Sequence, residues 1–231
     1  MATTSGSEPQ MIPANDSVET IVVWPDLIRI ASEQLFEQGW AVIANAIPPD
    51  LLRALQLELQ ERDGANELYR AGIGRGSTHQ VTGKVRGDRI AWLEPEWPAA
   101  AAYLALMAQL QAHLNEMGFL GLADFEAHYA IYDLGSFYRR HTDQHIEVSV
   151  LGAGRRIVST VLYLNDVPWP SDGGGELVLY PPEQATVNIC PEGGSLVVFW
   201  SDTIVHEVLP AQQARRSIAG WMRTRGSELP V

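Results

Sequence analysis

Beyond residue 124 the chain becomes a train of short strand-like segments separated by turn chemistry, and this limits its fold more than any other feature. The segments 125–132, 136–142, 156–164, 175–180, 185–190, 195–200, 203–208 and 215–223 read as strands bounded by turn residues. Asp172-Gly173-Gly174-Gly175 and Pro191-Glu192-Gly193-Gly194 punctuate them where the backbone must reverse. Eight short strands at this spacing predict a jelly roll of two facing antiparallel sheets. No internal repeat is visible.

The first half reads differently. A helical pattern (Leu27, Ile30, Ala31, Leu35) starts at Pro25-Asp26 and stops at Gly39, and a second runs from Pro48-Pro49-Asp50 through Leu52, Leu55 and Leu59 to near Gly64. Trp40 to Ala46 and Arg86 to Leu93 read as strands, and residues 97–117, rich in Ala, Leu and Met, as the longest helix. The predicted class is mainly β (α+β): a double-stranded β-helix core over about 124–223, with the N-terminal helices packed outside it. Residues 1–20, polar and rich in Ser, Thr and Pro, are expected to form a disordered tail ahead of one domain spanning 21–231. A length of 231 residues with 46% hydrophobic content suits a single globular core.

One cysteine, Cys190, excludes an internal disulfide framework and fits a reducing compartment. The first residues lack the basic and apolar regions of a secretory signal, and no stretch is long and apolar enough to span a bilayer, so a cytoplasmic location and no membrane partner are expected. The formal net charge of -12 argues against a nucleic-acid partner, since such binding neutralises phosphates with Lys and Arg. Eleven of the 16 basic residues nevertheless fall in 84–89, 139–156 and 215–225. They are either solvated strand ends or a locally positive mouth on an acidic body that draws in an anion.

The chemistry concentrates at His141-Thr142-Asp143 and at His206, about sixty residues later. On an extended strand, residues two apart project to the same face, so His141 and Asp143 point inward together and His206 completes the set from a distant strand. Two imidazoles and one carboxylate form the facial triad that suits a non-haem Fe(II) oxygenase, because it leaves coordination positions open. Arg215, nine residues after His206, supplies an anchor for a dicarboxylate cosubstrate through two parallel hydrogen bonds. It is preferred over Arg216 because it shares a strand face with Ser217, Ala219 and Trp221.

Other polar positions read as structural. His145 lies in strand or loop sequence and is left out of the ligand set. His79, His113 and His128 have no ligand-spaced neighbours, and Cys190 is expected to be a small buried hydrophobe. Gly72-Ile73-Gly74-Arg75-Gly76 lacks both the spacing and the strand–helix setting of a dinucleotide fingerprint, and is read as a loop.

The chain resembles the prolyl hydroxylase branch of the Fe(II)/2-oxoglutarate oxygenases, which includes the animal oxygen-sensing enzymes and their bacterial relatives. The likeness covers roughly 84–223. It rests on Arg86-Gly87-Asp88-Arg89-Ile90-Ala91-Trp92, Tyr138-Arg139-Arg140-His141-Thr142-Asp143, Tyr163-Leu164-Asn165, Gly174-Gly175-Glu176-Leu177, Phe199-Trp200-Ser201-Asp202, His206-Glu207-Val208, Arg215 and Trp221. The resemblance implies that His141, Asp143 and His206 hold Fe(II), and that Arg215 and Tyr163 bind the distal carboxylate of 2-oxoglutarate. It also implies that Tyr132 lies beside that cosubstrate and that Leu177 and Trp221 wall its pocket. Arg86 and Asp88 match a motif near the family's peptide entrance, where a structural salt bridge is the alternative reading.

The expected activity is hydroxylation of a prolyl residue in a protein substrate, with O2 consumed, succinate and CO2 released and ascorbate as a supporting reductant. Elongation factor Tu, a substrate of bacterial relatives, is a candidate target. The loop after Asp143 differs from the animal enzymes, so target identity does not carry over. Asp143 also occupies the position that halide takes in related halogenases, which favours hydroxylation. Two alternatives remain: a hydroxylase of a small molecule such as a free amino acid, and a non-catalytic iron or 2-oxoglutarate sensor.

Overall fold

The computed structural model describes residues 23–71, 86–144 and 154–226. Three helices come from the first half: α1 (Trp24–Gln38), α2 (Pro49–Gly64) and α3 (Pro98–Gly118). Each carries proline in its first turn, where the missing N–H costs nothing. Gly39 ends α1 at φ 91°, a left-handed cap that a side chain would disfavour.

The early strands are β1 (Trp40–Ile43), β2 (Tyr69–Arg70) and β3 (Arg89–Trp92). All eight segments expected beyond residue 124 then appear: β4 (Leu122–Tyr132), β5 (Tyr138–His141), β6 (Arg156–Tyr163), β7 (Leu177–Tyr180), β8 (Val187–Ile189), β9 (Leu196–Trp200), β10 (Val205–Val208) and β11 (Arg215–Thr224). Among the described residues they form a larger sheet, β1-β9-β6-β11-β4-β3-β2, and a smaller one, β5-β10-β7-β8. Every pairing is antiparallel. This is the expected jelly roll.

Strand alternation gives the larger sheet two apolar faces. Ile218, Met222, Tyr129, Val158, Leu162 and Val198 pack against the helices, with Leu35, Leu55, Leu59, Tyr103 and Met107. Tyr132, Tyr163, Val197 and Phe199 point the other way and meet Leu177, Leu179, Ile189 and Val208 of the smaller sheet. Helices therefore stabilise one side while the other is left for a site between the sheets.

A buried carboxylate ties the helical layer to the sheet. Glu58 of α2 accepts hydrogen bonds from the Ala99 and Ala100 backbone N–H groups, 2.9 and 3.0 Å, and from the Tyr129 hydroxyl, 2.6 Å. It thus caps α3, which has no cap of its own, where the helix dipole favours negative charge. Glu58→Ala leaves three buried donors without a partner and is expected to destabilise the protein by about 3 kcal/mol, read as a lower urea midpoint at unchanged m.

Three sequence expectations need amendment. Cys190 is exposed rather than buried, because alternation along β8 turns Val187 and Ile189 inward and leaves Cys190 outward. β2, not foreseen, is a two-residue strand that pairs with β3, Tyr69 opposite Ile90. The strand read over Arg86–Leu93 narrows to β3 plus an isolated bridge between Arg86 and Tyr138. The polar tail, the glycines at 72, 74 and 76, His79 and His145 lie outside the described residues. No helix among the described residues is long and apolar enough to cross a membrane.

Candidate metal centre and anion pocket

The smaller sheet brings two histidines together. His141 ends β5 directly opposite His206 of β10, with ring centroids 4.2 Å apart. Asp143 lies just past the end of β5, so it reaches the cluster by a turn and not by strand alternation. That turn is held by the Asp143 and Gln144 N–H groups, both donating to the Ser201 carbonyl, 3.1 and 3.2 Å. The Ser159 hydroxyl donates to Asp143 Oδ2 at 2.6 Å and lies 2.8 Å from the Ser201 hydroxyl. The sequence reading missed both serines. Ser201 sits inside the quoted Phe199-to-Asp202 run, and Ser159 shares the strand face of Tyr163, so period-two reading could have found it.

The ring nitrogens are assigned by their neighbours. His141 Nδ1 is 2.8 Å from the Arg139 carbonyl and His206 Nδ1 is 3.2 Å from the Ile204 carbonyl. A carbonyl only accepts, so each Nδ1 carries the proton and each Nε2 presents a lone pair. Those Nε2 atoms lie 3.5 and 3.6 Å from the two Asp143 oxygens. All three ligand atoms fall within 4.8 Å of one another, the one such cluster among the described residues.

The electrostatics favour the ligating forms. Burial alone would push the Asp143 carboxyl up, but His206 and His141 outweigh it and hold it well below the usual carboxylate range. Burial lowers the His206 pKa to about 4, with the nearby His141 adding to the effect against the pull of Asp143. A deprotonated carboxylate and neutral imidazoles are the species that bind a metal.

Arg215, at the start of β11, is 2% exposed. Its Nε donates to the Gly175 carbonyl, 2.8 Å, and Nη1 to the Ser217 hydroxyl, 3.2 Å, yet among the described residues no carboxylate pairs with it. The guanidinium carbon lies 4.9 Å from the Tyr132 ring and 5.0 Å from the Tyr163 ring. The Tyr163 hydroxyl is buried without a hydrogen-bond partner. Burial raises its pKa and the Arg215 charge counteracts the rise. A buried cation with no anion beside an orphan hydroxyl donor fits an anionic ligand, since both groups are costly to bury unmatched. Gly175 has φ 71°, and a Cβ there would come 3.0 Å from Arg215 Cδ, so glycine lets the backbone approach the guanidinium.

Tyr132 pairs across from Arg215, and Leu177 lies in the core between the sheets. Trp221 shares Arg215's face but sits six residues along, about 20 Å at strand rise. There it packs beside Trp92 and His128, with the Arg156 guanidinium 3.6 Å from its ring. Arg86 forks onto the fully buried Asp88 at 2.6 and 2.8 Å. His113 lies on α3, whereas His128 is buried on β4 beside Arg86 and Trp221.

His128 makes stability depend on pH. Burial first, then the Arg86 charge, pushes its pKa down to about 4, against about 6.5 for a free imidazole. The unfolded chain therefore binds the extra proton between those values, so stability is complete above pH 6.5 and is lost as pH falls toward 4. The loss is expected to reach about 3 kcal/mol, and the urea midpoint of His128→Gln should fall less over that range.

The family model described as "2OG-Fe(II) oxygenase superfamily" matches residues 127–223, which contain all three ligand positions and Arg215. A solved prolyl-4-hydroxylase from Pseudomonas putida is 41% identical, covering 85% of this chain and 99% of its own, with a TM-score of 0.77. The chain belongs to the 2OG-Fe(II) oxygenase superfamily. A second solved oxygenase of similar shape is a prolyl hydroxylase from Trichoplax adhaerens, determined in complex with a hypoxia inducible factor oxygen degradation domain peptide fragment. It is 28% identical over 87% of this chain and 90% of its own, with a TM-score of 0.73. Among curated relatives, the hypoxia-inducible factor prolyl hydroxylase of Caenorhabditis elegans is 28% identical over 207 residues, 81% of this chain and 27% of the relative. This oxygenase chain spans between 27% and 41% of the length of four curated relatives that it matches.

Proposed function

We propose that this 2OG-Fe(II) oxygenase hydroxylates a prolyl residue in a protein substrate, converting 2-oxoglutarate and O2 to succinate and CO2. The observation that carries the reading is the pairing of two sites between the same sheets: a three-ligand cluster and a buried, anion-less Arg215. His141 Nε2, His206 Nε2 and the Asp143 carboxylate would hold the iron, and Ser159 keeps the carboxylate oriented. Arg215 and the Tyr163 hydroxyl would bind the distal carboxylate of 2-oxoglutarate, with Tyr132 beside it. When bound, iron and 2-oxoglutarate supply the oxidising chemistry that places one oxygen atom of O2 into a C–H bond. The chain's own part is to fix the ligands, bind the cosubstrate and keep water from the space between the sheets.

The prolyl target is supported by the relatives, which are prolyl hydroxylases by name, one of them holding a peptide. The test is mass spectrometry of proteins incubated with the purified chain, Fe(II), ascorbate and 2-oxoglutarate, with elongation factor Tu peptides among those scanned. A prolyl peptide gaining one oxygen only with active protein supports the proposal. Succinate without any modified prolyl peptide moves the reading to a small-molecule hydroxylase, and no succinate moves it to a sensor.

A further inference from the structure

Arg86 and Asp88 do more than pair with each other. The Arg86 guanidinium lies 4.9 Å from the ring of Tyr138, and its Nη2 lies 3.4 Å from His128 Nε2. The His128 Nδ1 is 3.0 Å from the Tyr129 carbonyl, so Nδ1 carries the proton and Nε2 is free to accept from Arg86. Asp88 and His128 thus hold the guanidinium from two directions, and the backbone bridge between Arg86 and Tyr138 fixes it against that ring.

Tyr138 in turn lies against a metal ligand. Its ring and that of His141 are stacked, with centroids 3.7 Å apart and an interplanar angle of 22°. Residues three apart on a regular strand face opposite sides. Here β5 spends three steps between Tyr138 and His141 where β10 spends two between Val208 and His206, a register shift that turns both rings to one face. The Nδ1 bond to Arg139 fixes where His141 Nε2 points but leaves the ring free to tilt about that bond. Tyr138 stops the tilt, and Arg86 stops Tyr138 from moving away.

We infer that Arg86 is a positioning residue for the metal centre, acting through Tyr138 on His141, with Asp88 and His128 as its anchors. The inference rests on the metal-centre reading above and adds a role for a residue pair that the sequence assigned to a substrate entrance or a salt bridge. A cation against the face of a tyrosine is attractive, most of all where water is excluded. Partners of a metal ligand typically alter metal affinity by about 10–100-fold.

The experiment is titration of Co(II) into the metal-free full chain without 2-oxoglutarate, following affinity and the visible absorption that reports ligand geometry. Arg86→Gln and Tyr138→Leu are each expected to weaken Co(II) at least tenfold and shift the spectrum. Arg86→Lys, which keeps a cation at the ring, and Tyr138→Phe, which keeps the stack, should stay within about threefold of the unaltered chain. If Arg86→Gln does not fold, the Tyr138 pair decides, because both variants retain Arg86. Unchanged affinity and spectrum in Arg86→Gln or Tyr138→Leu overturn the inference, even if either raises KM for a substrate. Failure of the unaltered chain to bind Co(II) overturns the metal centre itself, and this inference with it.

Discussion

Asp143→Ala is expected to abolish succinate formation from 2-oxoglutarate and to leave the purified protein essentially free of iron. Asp143 supplies the cluster's single anionic ligand, with Oδ1 3.5 Å from His141 Nε2 and Oδ2 3.6 Å from His206 Nε2. Losing a mere partner of a ligand costs about 10–100-fold in affinity or activity, so losing the charged ligand should cost more than about 100-fold. The fold should survive. The turn carrying residue 143 is held by backbone bonds to Ser201, which the substitution leaves in place. Metal analysis and succinate measurement on the folded variant test the expectation; retained iron with full turnover would sink the ligand assignment. Ser159→Ala, which removes only the 2.6 Å bond to Oδ2, should give a milder version of the same defect.

Arg215→Ala should act on the cosubstrate and spare the metal. Truncating one side of a buried, hydrogen-bonded charge pair costs roughly 2–5 kcal/mol, which corresponds to about 30-fold to a few thousand-fold in the apparent KM for 2-oxoglutarate. The ligand-free protein gives the sharper readout. Among the described residues the guanidinium has no carboxylate partner, so removing it eliminates an uncompensated buried charge and should not lower the melting temperature. The unaltered chain should instead gain about 2.7 kcal/mol at a ligand concentration 100 times Kd, a gain the variant lacks. Thermal melts with and without 2-oxoglutarate and Mn(II) separate the two cases. A variant that melts early and is still stabilised by 2-oxoglutarate would show that Arg215 serves the fold.

Much of the architecture is written locally. The strands after residue 124 are marked by glycine turns, and the three helices by proline at the start, with Gly39 and Gly64 near the ends of the first two. Period-two reasoning put Arg215 rather than Arg216 on the inner face, and the structure has Arg215 buried there while Arg216 is exposed. The same reasoning brought His141 and Asp143 together for a reason that does not hold, because the strand stops at His141 and a turn completes the approach. The bulge in β5 was not legible either. Register between two strands depends on both partners, and nothing in Tyr138 to His141 announces the extra residue. Cys190 misled because burial was inferred from residue type, whereas its place just past the end of β8, following the inward Ile189, decided the face. Glu58 was hidden for another reason: its partners lie 41, 42 and 71 residues away.

β11 separates two demands along one segment. Ile218 and Met222 stand in the helix-side core, while Arg215, Ser217 and Trp221 share the opposite face of the strand. Packing and chemistry therefore occupy alternate letters of the same ten-residue word. A substitution at Arg215 or Ser217 thus alters the anion pocket, whereas one at Ile218 or Met222 alters the packing under the helices.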